Sequence, residues 1–150
     1  MKKYTVFFLL ALLILFADSA VAQKANTNDI FGYYTIEKPT KDFADISEVY
    51  LSGNYGAKEK PPVYGLIRLK RKSAKDFQVL KPTLSGKNLT FTTKAVGGIS
   101  YQFEGAFTKL GDFPTLRPEG EILLKGKLTK YRGKTKIAEA NVSFLYSAGD

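Results

Sequence analysis

Asp42 and Asp45, with Glu48 three residues further on, are the paired carboxylates that offer this chain its one catalytic option. Steps of three residues would gather them on a single helical turn, and paired carboxylates carry out the acid–base steps of glycoside hydrolysis. Two features oppose that use. The two acids of a glycosidase normally come from separate strands bordering a large groove, and Lys41 sits beside this cluster. Calcium would want a denser shell of oxygens. The expectation is therefore a charged loop in which Thr40 caps one turn. Glu104 is a further acid, for which Lys125 or Lys127 is the expected cross-strand partner.

The remaining chemistry is defined mostly by what is missing. The chain has 150 residues and contains no histidine and no cysteine. The commonest general base and zinc ligand is thus lacking, as are thiolate nucleophiles and thiolate metal sites. No Gly-x-Ser-x-Gly elbow, phosphate loop or dinucleotide fingerprint occurs. No catalytic residue, metal ligand or cofactor is expected, and the reading leans away from an enzyme.

Aromatic and basic side chains remain. Tyr33, Tyr34, Tyr50, Tyr55 and Tyr64 crowd the first half of the chain. Tyrosine can line a pocket for an apolar ligand while its hydroxyl orients that ligand. On this basis Tyr33, Tyr34, Tyr64, Tyr101 and Phe103 are the candidate ligand-binding residues. The competing reading is that these rings fill the core, each contributing roughly 1.5–3 kcal/mol on full burial. Arg68, Lys70 and Lys72 share one face of a predicted third strand, and Lys125 and Lys127 share one face of a seventh. They are the candidate basic surface, set against the simpler reading of a solvated wet face.

The elements that must position these residues read as β throughout. Eight strands are expected near 30–37, 46–52, 62–72, 76–81, 88–96, 99–108, 120–131 and 135–146. Leu89, Phe91, Thr93 and Ala95 alternate with Thr90, Thr92 and Lys94. Ile99, Tyr101, Phe103 and Phe107 alternate with Ser100, Gln102, Glu104 and Thr108. In the seventh strand Ile122, Leu124 and Leu128 oppose Lys125, Lys127 and Thr129. In the eighth, Ala138, Ala140, Val142, Phe144 and Tyr146 oppose Glu139, Asn141 and Ser143. Successive strand side chains point to opposite faces, so each segment has a dry face and a wet one.

All six prolines are expected between strands, where the missing N–H costs no ladder bond. Gly86, Gly97-Gly98 and Gly133 mark tight reversals, and Leu110 to Glu119 is the longest loop of the second half. Gly65, Gly105 and Gly126 fall inside strands, on the dry face. Glycine there lets a strand bend sharply while a neighbouring ring covers the gap. The fold class is all-β: about eight antiparallel strands in an up-and-down meander, closed or nearly closed as a barrel, with a β-sandwich as the alternative.

Residues 1–22 read as a cleavable signal peptide. Lys2 and Lys3 precede an apolar run from Val6 to Ala17, and Ala20-Val21-Ala22 offers small residues for cleavage. That run is shorter than the roughly 20 residues a spanning helix needs. The expected domains are thus 1–22 and a single unit at 23–150, exported to the periplasm or secreted. The net charge of the whole chain is +9, and losing Lys2, Lys3 and Asp18 lowers it by one. Outside the cytoplasm such a surface meets anionic lipid or acidic glycan rather than nucleic acid.

In strand number, length and export the chain resembles the lipocalin-type barrels, which carry small apolar molecules. Gly32-Tyr33-Tyr34 stands where that group has Gly-x-Trp, without its tryptophan, and the disulfides common there are missing too. The resemblance implies a non-catalytic binding module with a small apolar ligand. The alternative is a cell-envelope structural or interaction protein that meets anionic lipid or glycan through its basic face. A small outer-membrane barrel and a carboxylate enzyme are lesser alternatives.

Overall fold

In-strand alternation of apolar and polar side chains forces each strand to bury one face, and in this chain all the dry faces converge on one interior. The computed structural model describes residues 29–52, 64–71 and 73–149. Its eight strands are β1 (Gly32–Ile36), β2 (Ile46–Ser52), β3 (Tyr64–Leu69), β4 (Phe77–Ser85), β5 (Asn88–Thr93), β6 (Ile99–Phe107), β7 (Ile122–Arg132) and β8 (Thr135–Ser147). Each pairs antiparallel with the next. β1 closes the ring on β8 through Tyr33↔Ser147 to Ile36↔Phe144, giving a closed up-and-down barrel and not a sandwich.

The core is one cluster drawn from every strand. Its aromatic rings form a column through the lumen. Near one end Tyr101 meets Phe77 edge-on at 4.9 Å and Phe43 at 6.5 Å. In the middle Phe103 stacks on Phe91 at 5.4 Å and meets Phe144 at 5.8 Å. At the other end Tyr146 lies between Tyr34, at 5.6 Å, and Phe113, at 5.5 Å. Such tilted and edge-on pairs suit the ring quadrupoles and each add a little beyond burial.

The strand glycines explain how the sheet curls tightly enough to close. Gly105 of β6 and Gly126 of β7 stand directly opposite each other. A Cβ on Gly105 would collide with the Lys125 carbonyl and the Phe103 ring, and would come within 2.8 Å of the Gly126 Cα. Phe103 thus occupies the space that two side chains would otherwise take, and the backbones approach closely beneath it.

Several details depart from the sequence expectation. Pro82 lies inside β4, not between strands, and is buried. It is tolerated because the β4–β5 register shifts between Leu80 and Thr83, where a bulge removes the need for its N–H and Lys81 takes a positive φ of 48°. In β7 the buried pair is Leu123 and Leu124, while Ile122 is only half-buried. A second bulge between Ile122 and Leu124 reverses the alternation there. Ala95 lies past the end of β5 and is exposed. Thr40 makes no side-chain cap; the short 3-10 helix at Lys41–Phe43 is closed by the backbone bond from Phe43 N–H to the Thr40 carbonyl.

The Leu110–Glu119 connection holds a one-turn helix, α1 (Phe113–Leu116), with Pro114 in its first turn and Asp112 accepting from Thr115 N. Between β3 and β4 the registered pairs are Leu66↔Gln78 and Ile67↔Phe77, the shortest ladder of the ring among the described residues.

Candidate functional site

Glu48 Oε1 accepts from the Arg68 guanidinium at 2.6 Å, and Asp76 lies 3.7 Å from the same group. Asp45 faces Lys130 at 3.5 Å, and Lys130 also donates to the Asp42 carbonyl at 3.2 Å. These bonds tie the 3-10 turn down onto β7 and hold Phe43 in the barrel end. The three acids do not converge on a common point. Among the described residues no group of three or more acids is placed to hold a metal. Glu104 stands opposite Lys127 in register, yet the ion pair that Lys127 makes is with Glu139, at 4.0 Å. Lys136, 3.3 Å from Glu139, holds that carboxyl below its ordinary range, with Lys127 and Thr129 assisting.

The five candidate ligand residues are split between two sides of the wall. Tyr34, Tyr101 and Phe103 face inward and are buried. Tyr33 and Tyr64 face outward, where Tyr50 links them through ring contacts of 5.3 and 6.4 Å; Tyr64 is 52% exposed. No single pocket is made of all five. Inside, two hydroxyls are already engaged: Tyr34 donates to the Ile30 carbonyl at 2.8 Å and Tyr146 to the Phe31 carbonyl at 3.0 Å. Burial pushes the Tyr34 hydroxyl well above the ordinary tyrosine range, reinforced by Tyr146 and Asp29. Burial, with Asp45 adding to it, raises Tyr101 likewise. Tyr146 is pushed up to about 12, again mainly by burial.

Both mouths of the lumen are stoppered. Phe43 enters from the β1–β2 connection and Phe113 from the β6–β7 connection, each with 0% exposure. Phe113 is held by a backbone bond to the Asp29 carbonyl, while Asp29 N–H binds the Gly111 carbonyl, so the chain segment preceding β1 laces the stopper in place.

Concave features among the described residues lie on the outer wall. One depression, of about 680 Å³, spreads over β5–β7 above the Gly105–Ala106 backbone, rimmed by Asn88, Thr90, Glu104, Lys125 and Lys127. A second, of about 330 Å³, adjoins it across β7, shares Lys125, and is bordered by Asn141 and Ser143 of β8. The register explains the assembly. Asn88↔Ala106↔Lys125↔Ser143 forms one outward row and Thr90↔Glu104↔Lys127↔Asn141 the next. No family model matches the chain, and no curated protein or solved structure matches it.

The candidate basic surface divides in the same way as the tyrosines. β3 and β7 are four strands apart in either direction around the ring, so Arg68 and the Lys125–Lys127 pair occupy opposite sides. Arg68 and Lys70 border a separate depression of about 480 Å³ beside Glu48 and Asp76. Lys72 lies outside the described residues. Asn88, Thr90, Asn141 and Ser143 were not singled out in the sequence. Their signal is present in it: short polar residues at wet-face positions of the strands flanking the two glycine-bearing ones.

Proposed function

We propose that this protein is an exported, non-catalytic binding module that meets its partner on the outside of the barrel, as an envelope interaction protein does. The observation that carries this reading is the pair of stoppers, Phe43 and Phe113, closing a lumen already filled by its own rings. Small barrels packed by their own side chains offer ligands their surface and loops. The carrier reading, with an apolar molecule in the lumen, requires one stopper to swing out and the ring column to part. The outward rows of β5–β8 carry threonine, asparagine, lysine and glutamate, the reverse of the apolar band a lipid-embedded barrel turns outward. The scatter of the acids, with Glu48 matched to Arg68 and Asp45 to Lys130, supports a non-catalytic role.

Native mass spectrometry of the protein taken from its own compartment tests this. The expected result is the bare polypeptide mass. A reproducible one-to-one apolar adduct, retained by wild type and lost when Phe103 is enlarged to tryptophan, would restore the carrier reading.

A further inference from the structure

We infer that the paired depressions over Gly105 and Gly126 form a subsite for a strand of acidic glycan, with the Lys125 ammonium pairing with a uronate carboxylate. This rests on the outside-binding reading and assigns it a place and a chemistry.

Four observations lead there. The floor is backbone: Gly105 and Gly126 turn inward toward Phe103, so between the outward rows only peptide planes line the two depressions. The rim carries the amides of Asn88 and Asn141, the hydroxyls of Thr90 and Ser143 and the carboxylate of Glu104, donors and acceptors that match sugar hydroxyls. Lys125 forms no ion pair among the described residues, and its neighbours along the row are the uncharged Ala106 and Ser143. Lys127, on the same rim, answers to Glu139. Finally, the two depressions meet at Lys125 and stay open to solvent, so a polymer can lie across β5 to β8 without presenting an end.

A membrane surface would want apolar anchors beside the lysines, because charge alone holds a protein weakly to lipid. The exposed large apolar side chains, Tyr64, Leu80, Leu116 and Ile137, all lie outside the two depressions. The glycan is the occupant the site favours.

The test uses soluble polygalacturonate as the probe, with its methyl-esterified form as the uncharged control and phosphatidylglycerol vesicles as the lipid arm. Binding is followed by calorimetry on the folded protein and on Lys125→Arg, Lys125→Glu and Lys70→Glu, with circular dichroism confirming that each is folded. Lys70→Glu changes net charge as much as Lys125→Glu but sits across the barrel.

The expected result is salt-sensitive binding of polygalacturonate, weak binding of the ester, a loss of about ten-fold or more in Lys125→Glu, and less than about two-fold in Lys125→Arg and Lys70→Glu. Equal losses in Lys125→Glu and Lys70→Glu would overturn the subsite while leaving an outside partner in place. Binding to vesicles but not to polygalacturonate would overturn the glycan and again keep the outside reading. No binding to any probe would overturn the inference, and the adduct measurement above would judge the outside reading separately.

Discussion

Replacing Gly105 with alanine adds one methyl group at the tightest point of the barrel wall. The new Cβ would press on the Lys125 carbonyl, on the tip of the Phe103 ring, and on the Gly126 Cα at 2.8 Å. Two of these three are backbone atoms of a paired strand and cannot turn aside. Overpacking of this kind costs roughly 1–3 kcal/mol where the surroundings yield. If Phe103 instead leaves its place between Phe91 and Phe144, the loss approaches that of removing a buried phenylalanine, about 3–5 kcal/mol.

The expected destabilisation is therefore about 3 kcal/mol, and Gly126→Ala should match it, since its Cβ meets the Glu104 carbonyl and the same ring. In urea, with a slope of roughly 1–3 kcal/mol per molar, the unfolding midpoint should fall by about 1–3 M. The double variant should cost less than the sum, because one displaced ring admits both methyls. Gly133→Asn provides the contrast. That glycine has a φ of 58° in an open turn with nothing near its Cβ, and asparagine accepts such backbone, so less than about 1 kcal/mol should be lost. A midpoint for Gly105→Ala within about 0.3 M of wild type would refute the argument that these glycines let the wall close.

Other expectations follow from the same packing. The Tyr34 hydroxyl stays protonated in the fold well above pH 10, whereas in the unfolded chain it ionises near 10, so its contribution is complete below pH 10 and is lost as pH rises beyond it. Stability should fall by about 1.4 kcal/mol per pH unit on this account, and Tyr34→Phe should flatten the decline in urea midpoints measured from pH 9 to 12. An unchanged slope would remove Tyr34 as its source. Phe113→Ala should cost about 3–5 kcal/mol and admit an apolar fluorescent dye at that mouth; a dye signal equal to wild type would mean the stopper seals nothing. Arg68→Ala breaks a largely exposed ion pair with Glu48 and should cost no more than about 1 kcal/mol, less again in 1 M salt; a loss above 2 kcal/mol would show a buried role.

The barrel was legible because its signal is local. Side-chain alternation in β5, β6 and β8 marks the inner face residue by residue, and the glycines at 105 and 126 announce where the wall must bend. Bulges were not legible. At Ile122–Leu124 one extra residue breaks the alternation, and nothing in that Ile-Leu-Leu run shows that both leucines are buried while Ile122 is not. Pro82 misled for the same reason, since a bulge makes a strand interior acceptable to proline. The site was harder still. Tyr33 and Tyr34 are adjacent in sequence and therefore lie on opposite faces, so a list chosen by residue type had to straddle the wall. Rows such as Asn88↔Ala106↔Lys125↔Ser143 depend on register across four strands, which no single segment encodes.

The brief β3–β4 ladder makes that junction the natural zip of the ring. When it parts, two strands present bare N–H and C=O groups, and a second molecule in the same condition could stitch to them and begin a fibre. Lys70, Arg71 and Lys75 stand along this junction, all exposed. Their mutual repulsion between neighbouring molecules guards the opening, so the cations on this side of the barrel act as fenders against self-association, and neutralising them should show first as turbidity on heating.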